Sequence, residues 1–280
     1  MRGRLLVAWN LLKTWLLVAG GCAVVAAIGW PIGGYRLVSL LVFFALLVAF
    51  AAYWYSERVV LGLVGARELQ VGESPALHAT TARLASRAGV PKPRLYLLSD
   101  GHPRALAAGR GPRGGAIAVS RGLLVAAPPA ELEGVLAHEL AHIRNRDVLV
   151  QTAAVVVAAA LIETSRIGGW LQRGLLFVLG PLAAAIVHLL LSPKREFAAD
   201  RAAAAICGSP HGLADALLRL EQAAELVEFR ASPATEPLYT LNPFAEEGLA
   251  GLFVTHPPVG ERIRRLRELD PDWREKLRAA

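Results

Sequence analysis

The sequence contains a short stretch with the residue types and spacing of a metal site, His138-Glu-Leu-Ala-His142. Apolar and polar residues alternate around it with the period of a helix. Because positions four apart lie on one face of a helix, both imidazoles can reach one metal ion. Glu139 then lies near the open coordination position, where a carboxylate can take a proton from metal-bound water. The same pattern also arises by chance on amphipathic helices, so these five residues alone do not establish a metal site.

A second stretch, Ser192–Asp200, offers a further ligand. A catalytic zinc needs three protein ligands and a fourth position open to water. Glu196 and Asp200 lie four apart, on one face of a helix that Ser192 can cap with Pro193 in its first position. Glu196 can therefore complete a His-His-Glu set, while Asp200 can orient a ligand by hydrogen bonding. The alternative is a solvated pair of carboxylates, which is the usual fate of acidic residues at this spacing.

The elements that must position these residues include membrane spans. Hydrophobic residues make up 54% of the 280-residue chain and charged residues only 19%. Two apolar runs, Leu5–Trp30 and Leu37–Tyr55, are joined by a short turn at Pro31–Gly34 and predict a transmembrane hairpin. A cleaved signal peptide is the competing interpretation of the first run. That run is long for a signal peptide, and a second span follows at once.

The segment after the hairpin has the composition of a soluble domain. Helical spacing extends over Pro75–Ala88 and ends at Gly89, and Pro128-Pro129 opens the helix with the two histidines. Between these helices the sequence predicts a small antiparallel sheet of three short strands separated by turns rich in glycine and proline. The three strands are Arg94–Leu98, Ala105–Ala108 and Ala116–Ser120. An edge strand of such a sheet can pair with an extended peptide and present its backbone to the metal.

Two further apolar runs, Val148–Ile162 and Leu175–Leu191, lie between the candidate ligand segments. Each is shorter than the roughly 20 residues that a helix needs to span a bilayer. Neighbouring helices can extend both runs, which predicts a second transmembrane hairpin; a re-entrant or membrane-resting pair is the alternative. Either arrangement holds the metal site at the membrane surface.

The last part of the chain is predicted to be soluble and helical. Gly212–Phe229 and Glu261–Leu269 have the apolar spacing of amphipathic helices. The segment between them contains His256, which is followed by two prolines and is therefore held stiffly. Such a histidine can donate a hydrogen bond to an oxygen that becomes negative in a reaction. A purely structural turn explains the same residues equally well.

Charge and cysteine content indicate the compartment. The formal net charge is +7, but the arginines are interleaved with acids and lack stacking aromatics, which favours a membrane surface over nucleic acid. Basic residues cluster at the span ends on one side, which places both termini and the metal site in the cytoplasm. These residues are Arg2, Arg4, Arg58, Arg67, Arg144, Arg146, Lys194 and Arg195. With only Cys22 and Cys207, no disulfide framework is expected, as suits a reducing compartment.

Three motifs in this order resemble those of the HtpX-like membrane zinc metallopeptidases, which are related to the CAAX-prenyl endopeptidases. The motifs are His138–Asp147, Arg195–Asp200 and Leu252–Ile263, and Ala116–Leu124 also resembles the strand before the family's zinc helix. The resemblance covers nearly the whole chain, including the layout of two hairpins.

The resemblance implies a zincin peptidase domain that binds one Zn²⁺ per chain. His138, His142 and Glu196 are then the zinc ligands, Glu139 is the general base and Asp200 supports a ligand. The family resemblance further implies cleavage of membrane or misfolded proteins, as part of protein quality control in the cell inner membrane.

One position departs from the family pattern. The family usually has Pro-Asn-Ala before its substrate-pairing strand, whereas this chain has Pro103-Arg104-Ala105. Arg104 cannot accept hydrogen bonds as asparagine does, which affects the expected substrate preference. Arg104, Ala105 and Asn145 are candidates for contacts with the substrate or with the ligands.

The sequence thus predicts a mainly α integral membrane protein with two transmembrane helical hairpins and a zincin-like α+β metalloprotease domain. The predicted segments are an N-terminal hairpin (1–55), a first peptidase part with the histidine helix (56–147), a second membrane hairpin (148–191) and a second peptidase part with the third ligand (192–280). Its partners are protein or peptide substrates and the lipid bilayer, without nucleic acid.

Two other functions remain as alternatives. In a non-catalytic membrane scaffold or sensor, zinc would only stabilise the fold. An intramembrane metalloprotease would bury the histidine motif within an apolar span, whereas here Glu131, Glu133 and Asp147 lie close to it.

Overall fold

The computed structural model describes residues 2–153, 193–226 and 257–272. Its helices are α1 (Arg2–Leu63), α2 (Pro75–Ala88), α3 (Arg121–Ala126), α4 (Pro129–Asn145), α5 (Pro193–Cys207), α6 (His211–Leu226) and α7 (Val259–Arg267). Its strands are β1 (Arg67–Glu68), β2 (Arg94–Leu98), β3 (Ala105–Gly109) and β4 (Gly115–Ser120). The predicted helices at 75–88, 212–229 and 261–269 correspond to α2, α6 and α7, and Pro129 opens α4 as expected.

Helix α1 contains the N-terminal apolar segment. Its backbone leaves helical geometry at Gly33 and Gly34, within the predicted turn, and Gly34 has a positive φ of 58°. Among the described residues one helix is apolar and long enough to cross a membrane, through the stretch Trp30–Leu47 with a mean hydropathy of 1.6 and none of it buried. The second of two N-terminal spans therefore stays a prediction. Nearly all of the second predicted hairpin lies outside the described residues.

The sheet is mixed, so the prediction of an antiparallel sheet was wrong in part. Its strand order is β1-β2-β4-β3. Strands β3 and β4 form an antiparallel hairpin, but β4 inserts between β2 and β3 and therefore runs parallel to β2. The sequence also gave no indication of the two-residue strand β1, which pairs with β2. Strand order depends on which strands become neighbours in the folded sheet. The residue pattern of a short strand does not encode its neighbours.

The two faces of β3 pack against different helices. Ala105 and Ala107 join the main core with α4, whereas Leu106 and Ala108 pack with Val60 near the end of α1. Strand β3 is one of the two edge strands of the sheet, with β1 at the other edge. The metal-site helix and the end of α1 are thus held on opposite sides of this edge strand.

Helix α4 is the central element of the core and packs against α2, α5 and α6. Gly134 permits the close approach to α6, because a Cβ atom there would lie 2.5 Å from the backbone nitrogen of Leu213. Helix α4 ends at Asn145, and the next residue, Arg146, has a φ of 60° in the left-handed region. A new helical stretch begins at Asp147, so α4 does not run on directly into the apolar residues that follow.

Candidate metal centre

Helix α4 presents the two histidines from its C-terminal half. Pro129 begins the helix, where its missing N–H costs no hydrogen bond, and Glu131 in the first turn interacts favourably with the helix dipole. At the other end, the backbone N–H of Arg146 donates to the carbonyls of His142 and Ile143. These local signals fix the register that puts His138 and His142 on one buried face.

The two imidazoles face each other at close range. The Nε2 atoms of His138 and His142 are 3.1 Å apart, and the rings are nearly perpendicular at 89°. Both side chains are buried. Two ring nitrogens at this distance bring their lone pairs to one point, as two ligands of a metal ion do.

Glu196 of α5 supplies a carboxylate to the same point. Its oxygens lie 3.6 Å from Nε2 of His138 and 3.6 Å from Nε2 of His142. One donor atom from each of the three residues lies within 4.8 Å of the others. Two imidazole nitrogens and a carboxylate oxygen are a ligand set of catalytic zinc sites, so the donor chemistry fits that metal.

Two further carboxylates hold the outer nitrogens of the imidazoles. Asp200 lies 3.0 Å from Nδ1 of His138, and Asp147 lies 3.0 Å from Nδ1 of His142. Each carboxylate accepts the Nδ1 proton, so Nε2 of each ring faces the centre, where a metal ion would replace the Nε2 proton. The two carboxylates thus fix the orientation of both imidazoles.

A buried arginine, Arg262 of α7, completes the charge pattern. Its side chain is fully buried and donates to both oxygens of Asp200, at 2.9 and 2.7 Å. Its Nη1 lies 3.9 Å from Glu196, and its Nη2 lies 3.5 Å from the His138 ring. One guanidinium therefore partly neutralises the carboxylates on one side of the metal centre.

These contacts shift the pKa values of the site. Burial lowers the pKa of His142, but the negative charge of Glu196 and the hydrogen bond to Asp147 outweigh it and raise the pKa to about 10. For His138, hydrogen bonds to Asp200 and Glu196 likewise outweigh burial and raise the pKa. Burial raises the pKa of Asp200, yet Arg262 outweighs that effect and lowers it to about 2. The site therefore favours a positive charge at its centre, which a proton or a metal ion can supply.

Glu139 is buried on α4 beside His138. It is close enough to interact electrostatically with Arg262. Because Glu139 follows His138 directly on α4, it is the candidate general base of the site.

The remaining predicted residues lie in different places. Ala105 begins the edge strand, and the Arg104 guanidinium pairs with the Asp100 carboxylate while its backbone bonds to Ser120. Asn145 is the partly exposed last residue of α4. His256 and the predicted cap Ser192 lie outside the described residues.

Sequence reasoning did not assign roles to Arg262 and Asp147. Both residues lie inside the motifs that carried the family resemblance, which was the available signal. Nothing in the local pattern distinguishes Arg262 from the exposed arginines of the same helix, such as Arg264. Its burial opposite Asp200 is a property of the packed structure.

Comparison with known proteins gives consistent matches. The model of peptidase family M48 matches residues 72–270. A protease HtpX homolog of Pelotomaculum thermopropionicum is 40% identical over 275 residues, which cover 92% of this chain and 98% of that protein. The homolog of Acidiphilium cryptum is 42% identical over 277 residues, covering 93% and 96%. The homolog of Thermococcus kodakarensis is 38% identical over 282 residues, covering 94% and 97%.

A solved structure also aligns with the chain. The crystal structure of S. mikatae Ste24p matches with a TM-score of 0.48 at 19% identity, covering 93% of this chain and 66% of that one.

Proposed function

The chain belongs to peptidase family M48 and is a metallopeptidase, and from this premise we propose that it is a zinc endopeptidase of the cell inner membrane. In this proposal one zinc ion binds per chain, and both termini and the active site face the cytoplasm. Its substrates are membrane or misfolded proteins, whose cleavage serves protein quality control.

The observation that carries the proposal is the convergence of His138, His142 and Glu196. Their donor atoms come from two helices and lie within 4.8 Å of one another in a buried site. Asp147 and Asp200 orient the two imidazoles from behind. Three protein ligands would hold a zinc ion here and leave a position for water or substrate, as catalytic sites require.

The residues around the ligands have distinct roles in hydrolysis. A zinc ion held by His138, His142 and Glu196 would supply a Lewis acid that lowers the pKa of a bound water molecule and polarises the scissile carbonyl. Glu139 takes the proton of the attacking water and passes it to the leaving amine nitrogen. Arg262 keeps Asp200 ionised, and Asp200 in turn holds His138 in its ligating tautomer.

Strand β3 is the site at which we expect the substrate backbone to pair. The backbone carbonyl of Arg104 accepts a hydrogen bond from the N–H of Ser120, and the backbone N–H of Arg110 donates to the carbonyl of Gly114. The even-numbered residues of β3 therefore form the backbone hydrogen bonds to β4. Because antiparallel hydrogen bonds alternate, the N–H and C=O groups of Ala107 point away from β4. An extended peptide can use these groups to add a strand beside the metal.

The two arms of α1 support the proposed membrane arrangement. Lys13 in the first arm interacts electrostatically with Asp147 and Arg195, and Glu57 near the end of the second arm pairs with Arg94 at 2.5 Å. A straight helix would separate Lys13 and Glu57 by about 65 Å. A hairpin with its turn at Gly33-Gly34 lets both arms contact the same domain and supports the proposed membrane anchor.

The experiment measures zinc content and casein cleavage of the detergent-purified full chain, with Glu139→Gln and Glu196→Ala. We expect one zinc and cleavage in the wild type, zinc without cleavage in Glu139→Gln, and weakened zinc binding in Glu196→Ala. Glu133→Gln is the matched control, since Glu133 lies on the same helix but pairs with Arg83 away from the metal centre. That variant should cleave as the wild type does.

Two outcomes would contradict the assignment. Cleavage near the wild-type rate in Glu139→Gln would exclude Glu139 as the base. Zinc bound equally by the wild type and Glu139→Gln, with no cleavage of casein or of a membrane-protein substrate by either, would favour the non-catalytic scaffold.

A further inference from the structure

We propose a second binding site, a pocket for the phosphate of an acidic phospholipid, where the end of α1 meets the β3–β4 hairpin. The pocket has a volume of about 450 Å³. It is lined by Tyr53, Arg110, Pro112, Arg113, Gly114 and Arg146. The inference goes beyond the proposed peptidase function and requires only that α1 lies in a bilayer.

The pocket lies at the level expected for lipid headgroups. The apolar stretch of α1 runs to Leu47, and the exposed aromatic residues Tyr53, Trp54 and Tyr55 follow it within two helical turns or so. Tyrosine and tryptophan prefer the interface between the hydrocarbon region and water. A pocket that begins at Tyr53 therefore opens where phosphate groups are found.

The aromatic residues also position one of the basic groups. The Arg110 guanidinium lies 4.4 Å from the ring centre of Trp54 and 5.6 Å from that of Tyr53. Cation–π contacts of this kind hold a guanidinium beside aromatic rings. A guanidinium in such a contact still carries several N–H donors that match the oxygens of a phosphate.

Two glycines of the hairpin shape the floor of the pocket. A Cβ atom at Gly114 would lie 3.2 Å from Nε of Arg110, and one at Gly111 would lie 3.1 Å from Cγ of Arg146. Both arginine side chains therefore pack directly on the loop backbone. This packing brings two guanidinium-bearing chains from separate elements to one small cavity, together with the exposed Arg113.

The charge of the pocket is not compensated within the described part of the chain. No carboxylate among those residues forms an ion pair with Arg110, Arg113 or Arg146. Other arginines of the domain are paired, for example Arg67 with Glu73 at 2.7 Å. Three guanidinium groups around one cavity match an anionic headgroup and disfavour the cationic group of a zwitterionic lipid.

The test measures binding of short-chain lipids to the full chain in detergent by microscale thermophoresis. The probes are dihexanoyl phosphatidylglycerol, dihexanoyl phosphatidylcholine and inorganic phosphate. We expect phosphatidylglycerol to bind about tenfold more tightly than phosphatidylcholine, given the charge of the three arginines. It should also bind more tightly than inorganic phosphate, because only the lipid has acyl chains that can pack against the apolar surface of α1. Replacing one of these arginines by glutamine should lower the affinity for phosphatidylglycerol about fivefold. The double variant Arg110→Gln/Arg113→Gln should therefore lose about 25-fold in affinity.

Two variants keep this test decisive. Arg113→Gln alone changes an exposed side chain and so leaves the fold intact, and it should still lose about fivefold in affinity. Arg121→Gln removes an equal charge from an exposed position at the opposite end of β4 and should bind like the wild type. Equal affinity for both lipids, unchanged binding by Arg113→Gln, or an equal loss in Arg121→Gln would overturn the site. Inorganic phosphate binding as tightly as phosphatidylglycerol would overturn the lipid as its ligand.

Discussion

Arg262 and Asp200 form a buried ion pair with two hydrogen bonds, from Nε at 2.9 Å and from Nη2 at 2.7 Å. Asp200 also accepts from Nδ1 of His138 at 3.0 Å. A continuous chain of contacts therefore runs from α7 through α5 to the metal centre on α4. Because an isolated buried charge is costly, each member of the chain depends on the others.

Arg262→Met should destabilise the protein strongly. The substitution leaves Asp200 buried and charged without its guanidinium partner, which costs about 3–5 kcal/mol in the free energy of unfolding. The measurement is chemical unfolding of the purified protein in detergent. The double variant Arg262→Met/Asp200→Asn should be less destabilised than Arg262→Met alone, because no unpaired charge is then buried. A single variant as stable as the wild type would show that the pair does not support the fold.

Asp147→Ala should weaken zinc binding by about 10- to 100-fold, because Asp147 fixes the Nδ1 proton of His142. Competition with a chelator of known zinc affinity gives the dissociation constant. Asp215→Ala is the matched control, since Asp215 is exposed and lies 3.7 Å from Arg267, away from the metal centre. Equal affinities of the two variants would exclude this role for Asp147.

Removal of zinc should lower the stability of the fold. With free zinc at about 100 times its dissociation constant, the bound metal stabilises the native state by about 3 kcal/mol. The measurement compares thermal unfolding midpoints before and after treatment with 1,10-phenanthroline, and again after zinc is restored. Glu139→Gln should show the same shift as the wild type because Glu139 is not a ligand. Glu196→Ala should show little or none, and a full shift in that variant would count against Glu196 as a ligand.

Ala107→Pro should impair cleavage more than stability. It removes an N–H that points away from β4, so the ladder of the sheet stays intact while one hydrogen bond to the substrate is lost. We expect kcat/KM to fall about three- to tenfold. The control is Ala108→Pro, which removes an N–H on the β4 side and should destabilise the protein by about 1–3 kcal/mol. A normal kcat/KM in Ala107→Pro would argue against substrate pairing at this edge.

The sequence by itself determined the features that depend on short-range physics. The bounds of α2 follow from Pro75 at its start and Gly89 at its end, and both were read correctly. The spacing of His138 and His142 fixed their common face once α4 was recognised as a helix, because the helical repeat is a local property. Glu196 could be proposed as third ligand because a catalytic zinc needs three protein ligands and because its motif resembles that of the family.

The tertiary structure alone decided how separate segments meet. The parallel pairing of β2 with β4 arises because β4 lies between β2 and β3, and neither strand pattern contains that order. Arg262 and Asp200 are 62 residues apart, and Arg262 has several like-charged neighbours in its own helix. Only the packing of α7 against α5 selects this arginine as the buried one, because burial and long-range pairing are set by the whole fold and not by the residues nearby in the chain.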